Sequence, residues 1–301
     1  MTLPAGWWRI AVCLVLLLAL VLMLDVSQIL AALQRMDWRW TLAAAGLMLS
    51  ATMLGAWALH LLFNTERTLP FLVFLPVYWT AWAVGLVFPG QVGDMASLTV
   101  MLQRHGLPPA LILGRSMADK LVSLLLMIGL ALWALRQRLS APLFAAIICG
   151  AVVAAVLLQW LLRTKGPLAR HRITIFIHKT LSEALLVWQR YPVRIACNAL
   201  LTIIKICFIG LAYWVMFRAF GFHQAPAWDV ITLVAVSSLV AYIPISFNGI
   251  GTAEVAGVAL FAGVGVAPPA VLASYLVLRA IGLTLAWIPA GTWLLLARRH
   301  R

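Results

Sequence analysis

Hydrophobic positions in this chain run together rather than alternating with polar ones. Apolar runs, bounded by charged residues or Pro/Gly punctuation, extend over about 7–30, 38–63, 70–88, 108–135, 141–162, 193–219, 229–247 and 268–297. About 20 apolar residues cross the hydrocarbon of a bilayer, so the pattern predicts about eight transmembrane helices. Between the fifth and sixth runs, residues 163–194 are polar and basic, yet Ile173, Ile177, Leu181, Leu185 and Trp188 recur at helical spacing. That periodicity predicts an amphipathic helix on the membrane surface. Trp7, Trp8 and Arg9 precede an apolar run that reaches Met23 without a small-residue cleavage site, which reads as an uncleaved first helix. Trp38, Trp40, Trp79, Trp82, Trp160, Trp188, Trp228 and Trp293 fall near the ends of runs, as interfacial indoles do.

Composition sharpens this picture. Of 301 residues, 64% are hydrophobic and 10% charged, whereas soluble domains are about half apolar and about a quarter charged. A soluble globular protein is excluded, and the extramembrane parts are loops of a single domain spanning 1–301. Lys and Arg number 22 against 8 Asp and Glu, a formal charge of +14, which suits anionic lipid head groups. No basic stretch is long and interleaved with aromatics, so nucleic acid is not an expected partner. Cys13, Cys149, Cys197 and Cys207 lie in apolar runs without CxxC or Cys/His pairing and read as packing residues. The basic segment 163–194 and the terminal Arg298, Arg299 and Arg301 both ask for the cytoplasmic side. Three runs separate them, so charge leaves the orientation open.

Two stretches break the simple pattern: Phe88-Pro89-Gly90-Gln91-Val92-Gly93-Asp94 and Ile245-Ser246-Phe247-Asn248-Gly249-Ile250-Gly251-Thr252-Ala253-Glu254. Each follows a run, carries paired glycines and ends in an acid. Fourteen residues after each acid comes Pro-Pro-Ala, at Pro108 and Pro268, and eleven residues after those prolines stand Asp119 and Arg279. The correspondence marks a duplicated unit, about 70–135 and 229–297. Glycine and proline stop the preceding helix, and the residues left before the double proline are too few to cross a bilayer. Each copy therefore predicts either a re-entrant half-helix whose N-terminal amides face a cavity, or a surface loop followed by an interfacial helix.

Several charges fall inside the runs: Arg115, Asp119 and Lys120, then Lys205, then Arg279. Each unpaired charge at the bilayer centre costs about 2.5–3.5 kcal/mol, so these side chains should face a polar interior. Arg115 and Asp119 share one helix face, while Lys120 points elsewhere and reads either as a ligand or as a snorkelling lysine. Tyr275 lies one turn before Arg279 on the same face and joins it as a candidate head-group ligand. Asp94 and Glu254 admit two readings: N-terminal residues that favour the helix dipole, or cavity acids that pair with Arg115 and Arg279. The histidines lie outside the repeated turns, and no clustered nucleophile and base is apparent, so no enzyme activity and no cofactor or metal is expected.

The segments PGQVGDMASLTVMLQRHG, ALILGRSMADKLVSLLL and PISFNGIGTAEVAGVALFAGVGVAPPAVLASYLVLRAIGL resemble the hallmark segments of the flippase-like family. This is the family of the lysylphosphatidylglycerol synthase transmembrane region, also called YbhN-like (UPF0104-type) membrane proteins. Asp94 and Asp119 take the acidic places of the family pattern, with Arg115 and Lys120 as the cations, and Asn248-Gly249 stands where the family carries proline-glycine. The resemblance implies an all-α, polytopic membrane helix bundle. It also implies translocation or binding of a polar lipid in the bacterial inner membrane, without the soluble aminoacyl-transferase domain of the synthases. The expected function is a flippase or transporter for an anionic phospholipid or a polyprenyl-phosphate-linked sugar lipid. The head group would meet Gly90, Gly93, Asp94, Arg115, Asp119, Lys120, Lys205, Asn248, Gly249, Gly251, Glu254, Tyr275 and Arg279. Movement would be downhill or ion-coupled, since no GxxxxGK motif exists. The alternatives are a non-catalytic partner that presents lipid to a glycosyltransferase or lipid synthase, and a membrane-embedded lipid-phosphate enzyme.

Overall fold

The computed structural model describes residues 33–34, 36–64, 69–86, 93–146, 149, 172–242 and 249–299. The predicted run 7–30, most of 141–162, the turn residues Gly90 and Asn248, and Trp160 lie outside the described residues. Among those described, the regular structure is helical: α1 (Trp38–Phe63), α2 (Phe71–Gly85), α3 (Gly93–Gln103), α4 (Pro109–Arg136), α5 (Arg172–Arg190), α6 (Pro192–Ala219), α7 (Ala227–Tyr242), α8 (Thr252–Ala262) and α9 (Pro268–Arg299). Four of them, α1, α4, α6 and α9 over Pro268–Leu295, are long and apolar enough to cross a membrane. α2 and α7 are shorter apolar helices, and α3 and α8 have 11 residues each.

The antiparallel pair α1 and α6 defines the two ends of the bundle. At one end the Asp37 N–H donates to the Ala219 carbonyl at 3.1 Å. At the other, Arg194 donates to the Leu61 carbonyl at 3.0 Å and to that of Asn64. α2 starts at this second end, where His60 Nε2 is 2.6 Å from the Leu69 carbonyl oxygen. α3 then runs back along α2: Asp94 lies against Gly85, while Leu98 and Leu102 pack with Ala81, Val77 and Phe74, next to Phe63 and Leu107. The two helices make a hairpin with both feet at the C-terminal end of α1.

The second copy is built the same way from the opposite end. α7 starts just beyond the C-terminus of α6, and α8 returns along it. Gly249 lies against Ala241 at the tip, and Phe261 and Val266 pack with Phe217, Ala225 and Val230 at the feet. The short helices α3 and α8 end alike, at Gly106 and Gly265, whose φ angles of 77° and 78° suit a residue without Cβ. A proline then opens the long helix that follows. α4 ends at the feet of the second hairpin, where Arg138 pairs with Asp229 at 3.2 Å. Each hairpin leans on the other copy's long helix: α2 packs on α9 and α7 packs on α4. The sequence repeat is thus an inverted pair of interlocked units.

Trp38 and Trp228 are exposed near helix ends, as expected of interfacial residues. Trp79 is a correction: it is buried, and its Nε1–H donates to the Leu285 carbonyl at 2.6 Å, joining α2 to α9. That carbonyl and the indole satisfy one another inside the bundle, where a lone N–H would be costly.

α5 docks on α4 through a near-touching backbone. A Cβ on Gly114 would stand 2.4 Å from Glu183 Cβ and 3.0 Å from the Thr180 carbonyl oxygen. Ala184 and Val187 are buried beside Ala118 and Val122, while Leu185, Leu186 and Trp188 remain exposed on the other side. The amphipathic segment therefore has one face for α4 and another for its surroundings. Gly114→Ala forces these backbones apart and is expected to lower stability by about 1–3 kcal/mol, read as a lower melting temperature in detergent.

Candidate functional site

Both hairpin tips meet a long helix a little over a third of the way along it. In the first unit Asp94 lies in the opening turn of α3. Its Oδ1 accepts from the Met95 N–H at 2.8 Å and its Oδ2 from Lys120 Nζ at 2.7 Å. In the second, Glu254 Oε2 accepts from the Gly251 N–H at 2.7 Å, tying down the start of α8. Its Oε1 accepts from Arg279 Nε at 3.1 Å and Nη2 at 2.7 Å. The dipole and ion-pair readings of these acids are therefore both realised in Glu254.

The structure corrects two expectations here. Asp94 pairs with Lys120, not Arg115, and Lys120 does not snorkel. Arg115 is only 2% exposed, and its Nη1 donates to the Leu62 carbonyl at 2.5 Å and that of Phe63 at 3.4 Å. The last turn of α1 ends beside α4 one turn ahead of Asp119, and its carbonyls take the nearest cation. Glu254 is the second correction: it is 0% exposed and lies behind Arg279 rather than on a cavity wall.

Two chambers open between the units. The larger, about 420 Å³, is lined by residues of α1, α2, α4, α6, α7 and α9, among them Met48, Ile206, Ile209, Leu278, Lys205 and Arg279. Its wall includes two cations and no acid among the described residues. Ile250 and Ala253, at the start of α8, also reach it. The smaller, about 180 Å³, is lined by Asp94, Asp119, Lys120, Lys205 and Ser116 with apolar neighbours. Tyr78, Trp82, Ser123, Lys205 and Tyr242 belong to both walls, so Lys205 stands at the junction.

Lys205 lies about halfway along α6, and among the described residues its ammonium makes no hydrogen bond or ion pair. Its stem passes Gly55, where a Cβ would come within 3.3 Å of Lys205 Cδ and 2.7 Å of the Tyr78 hydroxyl. Tyr275 is buried, and its hydroxyl shares a 2.6 Å hydrogen bond with Ser237 on the wall of the larger chamber. The ring fits only because residue 257 is glycine, whose Cβ would meet it at 2.5 Å. Asp119 Oδ1 accepts from Asn198 Nδ2 at 2.7 Å.

Of the residues expected at the site, Asp94, Asp119, Lys120, Lys205, Tyr275 and Arg279 line the chambers. Gly93, Gly249 and Gly251 shape the tips beside them, whereas Arg115 and Glu254 line neither. Sequence reading missed Gly55, Tyr78, Ser116, Asn198 and Tyr242. A stripe was available for one of them: Asn198, Thr202 and Lys205 repeat at helical spacing through an otherwise apolar run.

Apolar helices long enough to cross a membrane, interlocked around chambers that carry charge at mid-depth, define a multi-pass integral membrane protein. The chain belongs to the lysylphosphatidylglycerol synthase transmembrane-region family, whose model matches residues 6–290. Neither the curated proteins nor the solved structures give a match to this chain.

Proposed function

We propose that this protein binds a lipid with an anionic head group and carries it across the bacterial inner membrane, without making or breaking a bond. The observation that carries this reading is the larger chamber. Lys205 and Arg279 face it, no described acid lines it, and the rest of its wall is largely apolar. A phosphate would take the cations, with hydrogen bonds to charged groups contributing about 1.5–3 kcal/mol each. The acyl or prenyl chain would lie against Met48, Ile206, Ile209 and Leu278.

The hairpins support movement rather than storage. α3 and α8, at about 1.5 Å per residue, reach only about 16 Å, roughly half a bilayer. We read α2–α3 and α7–α8 as re-entrant elements entering from opposite faces, with tips beside a shared polar junction. Inverted repeats around a central site are the usual architecture for alternating access.

Native mass spectrometry of the protein extracted with its membrane lipids tests the binding step. The wild type is expected to retain one phosphate-bearing lipid class that Arg279→Ala loses. Retained lipids that mirror bulk composition in both proteins contradict the proposal. Retention without movement between leaflets would instead favour a partner that presents lipid to a glycosyltransferase or lipid synthase.

A further inference from the structure

The chambers are lined by Asp94, Asp119, Lys120, Lys205 and Arg279, with Glu254 behind the arginine. Two couples among these charges are closed: Asp94 with Lys120 and Glu254 with Arg279, each at 2.7 Å. Asp119 and Lys205 are what remains. Both line the smaller chamber and both are half-buried, yet no ion pair joins them. Asp119 Oδ1 accepts from Asn198 at 2.7 Å, and its second oxygen takes no hydrogen bond among the described residues.

The field at the junction points the same way. Of the charges acting on Lys205, Asp119 is the strongest and Lys120 the next. Tyr78 and Tyr242, which share both chamber walls with Lys205, also have Asp119 as their strongest charged neighbour. Asp119 therefore opposes Lys205 across a gap. The smaller chamber, about 180 Å³, has room for only about six waters at about 30 Å³ each, too few to screen opposite charges as bulk water does.

We propose that Asp119 is the resting counter-charge of Lys205 and competes with the head-group phosphate for it, which makes Asp119 the positioning residue that releases the lipid. The proposal rests on the lipid-binding reading. Without a head group the ammonium is drawn toward Asp119; a phosphate in the larger chamber draws it the other way. Lysine suits such an exchange, being a compact charge on a flexible four-carbon stem. Arg279 does not, because two hydrogen bonds hold it on Glu254 Oε1. Affinity resides mostly in the rate of leaving, so a phosphate between two cations with no competing acid would leave slowly. The Asp119 carboxylate keeps binding reversible.

The test joins a double-mutant cycle in melting temperature to a lipid titration, both on the purified full chain in detergent. Asp119→Asn keeps the contact with Asn198, because the new side chain still offers an oxygen. It should lower the melting temperature when Lys205 is present and should not lower it in the Lys205→Met background. Titrated with dioctanoyl phosphatidylglycerol, Asp119→Asn should bind about tenfold more tightly than wild type. In phosphatidylcholine vesicles containing fluorescent phosphatidylglycerol it should move lipid about tenfold more slowly. Asp119→Glu should restore both values. A merely structural role would weaken binding and movement together. If Asp119→Asn alone does not fold, its combination with Lys205→Met should, and a double variant that also fails overturns the proposal. So does an equal melting loss with and without Lys205, or an Asp119→Asn protein that binds the lipid no more tightly than wild type. A wild type that binds no lipid while the melting cycle holds contradicts the lipid reading, and the competition with it, but leaves Asp119 facing Lys205.

Discussion

Lys205→Met should abolish lipid movement while leaving the fold intact or slightly more stable. The two effects have opposite signs for one reason. A cation that makes no hydrogen bond or ion pair among the described residues, halfway along an apolar helix, is costly to the folded protein, and replacing it with an apolar chain of similar length relieves that cost. The same cation is what the larger chamber offers a phosphate, together with Arg279. Losing one charge-assisted contact of about 1.5–3 kcal/mol should weaken head-group binding by roughly ten- to hundredfold. Lipid retention and melting temperature, measured on the same preparation, check both halves. A substitution that unfolds the protein would mean that Lys205 is held by an interaction essential to the bundle.

Glu254→Ala is expected to have the largest effect on stability, about 3–5 kcal/mol. Its carboxylate is 0% exposed and serves two masters, the Gly251 amide and the Arg279 guanidinium. Removing it takes the carboxylate away from the Arg279 guanidinium and frees the start of α8. The double variant Glu254→Ala with Arg279→Met should recover part of that stability, because the cation that lost its carboxylate is gone, yet should still fail to hold lipid. The equivalent pair in the first unit, Asp94 and Lys120, has side chains 33% and 24% exposed. Its loss should therefore cost less, about 1 kcal/mol. Thermal unfolding of the three variants separates these expectations.

The repeat was legible because its markers are backbone requirements. The paired glycines and acids that open α3 and α8, and the prolines Pro108 and Pro268 fourteen residues after the acids, sit at helix boundaries, and those boundaries recur in both copies. The inversion of the two units was not legible. It depends on where α6 begins and ends relative to α1, and nothing local to the repeats encodes that. The pairing of Glu254 with Arg279 was one of two readings that the sequence left open, and it is the one the structure realises together with the helix-start role, whereas the pairing of Asp94 failed at Arg115. Sequence spacing placed Arg115 and Asp119 on one helix face but could not show that the carbonyls of Leu62 and Phe63 would claim the arginine first. Asn198 was passed over although it shares a helix face with Thr202 and Lys205, because that stripe names no partner until α6 meets α4 at Asp119.

The most direct test of the account is a leaflet assay on the purified chain reconstituted in liposomes containing a fluorescent anionic phospholipid, with a membrane-impermeant quencher added outside. With wild-type protein, quenching should proceed beyond the outer-leaflet fraction to near completion, and Lys205→Met should return it to the protein-free level. Wild-type vesicles that quench no further than protein-free ones, or a Lys205→Met protein as active as wild type, would contradict the claim that the junction of the two chambers carries the lipid.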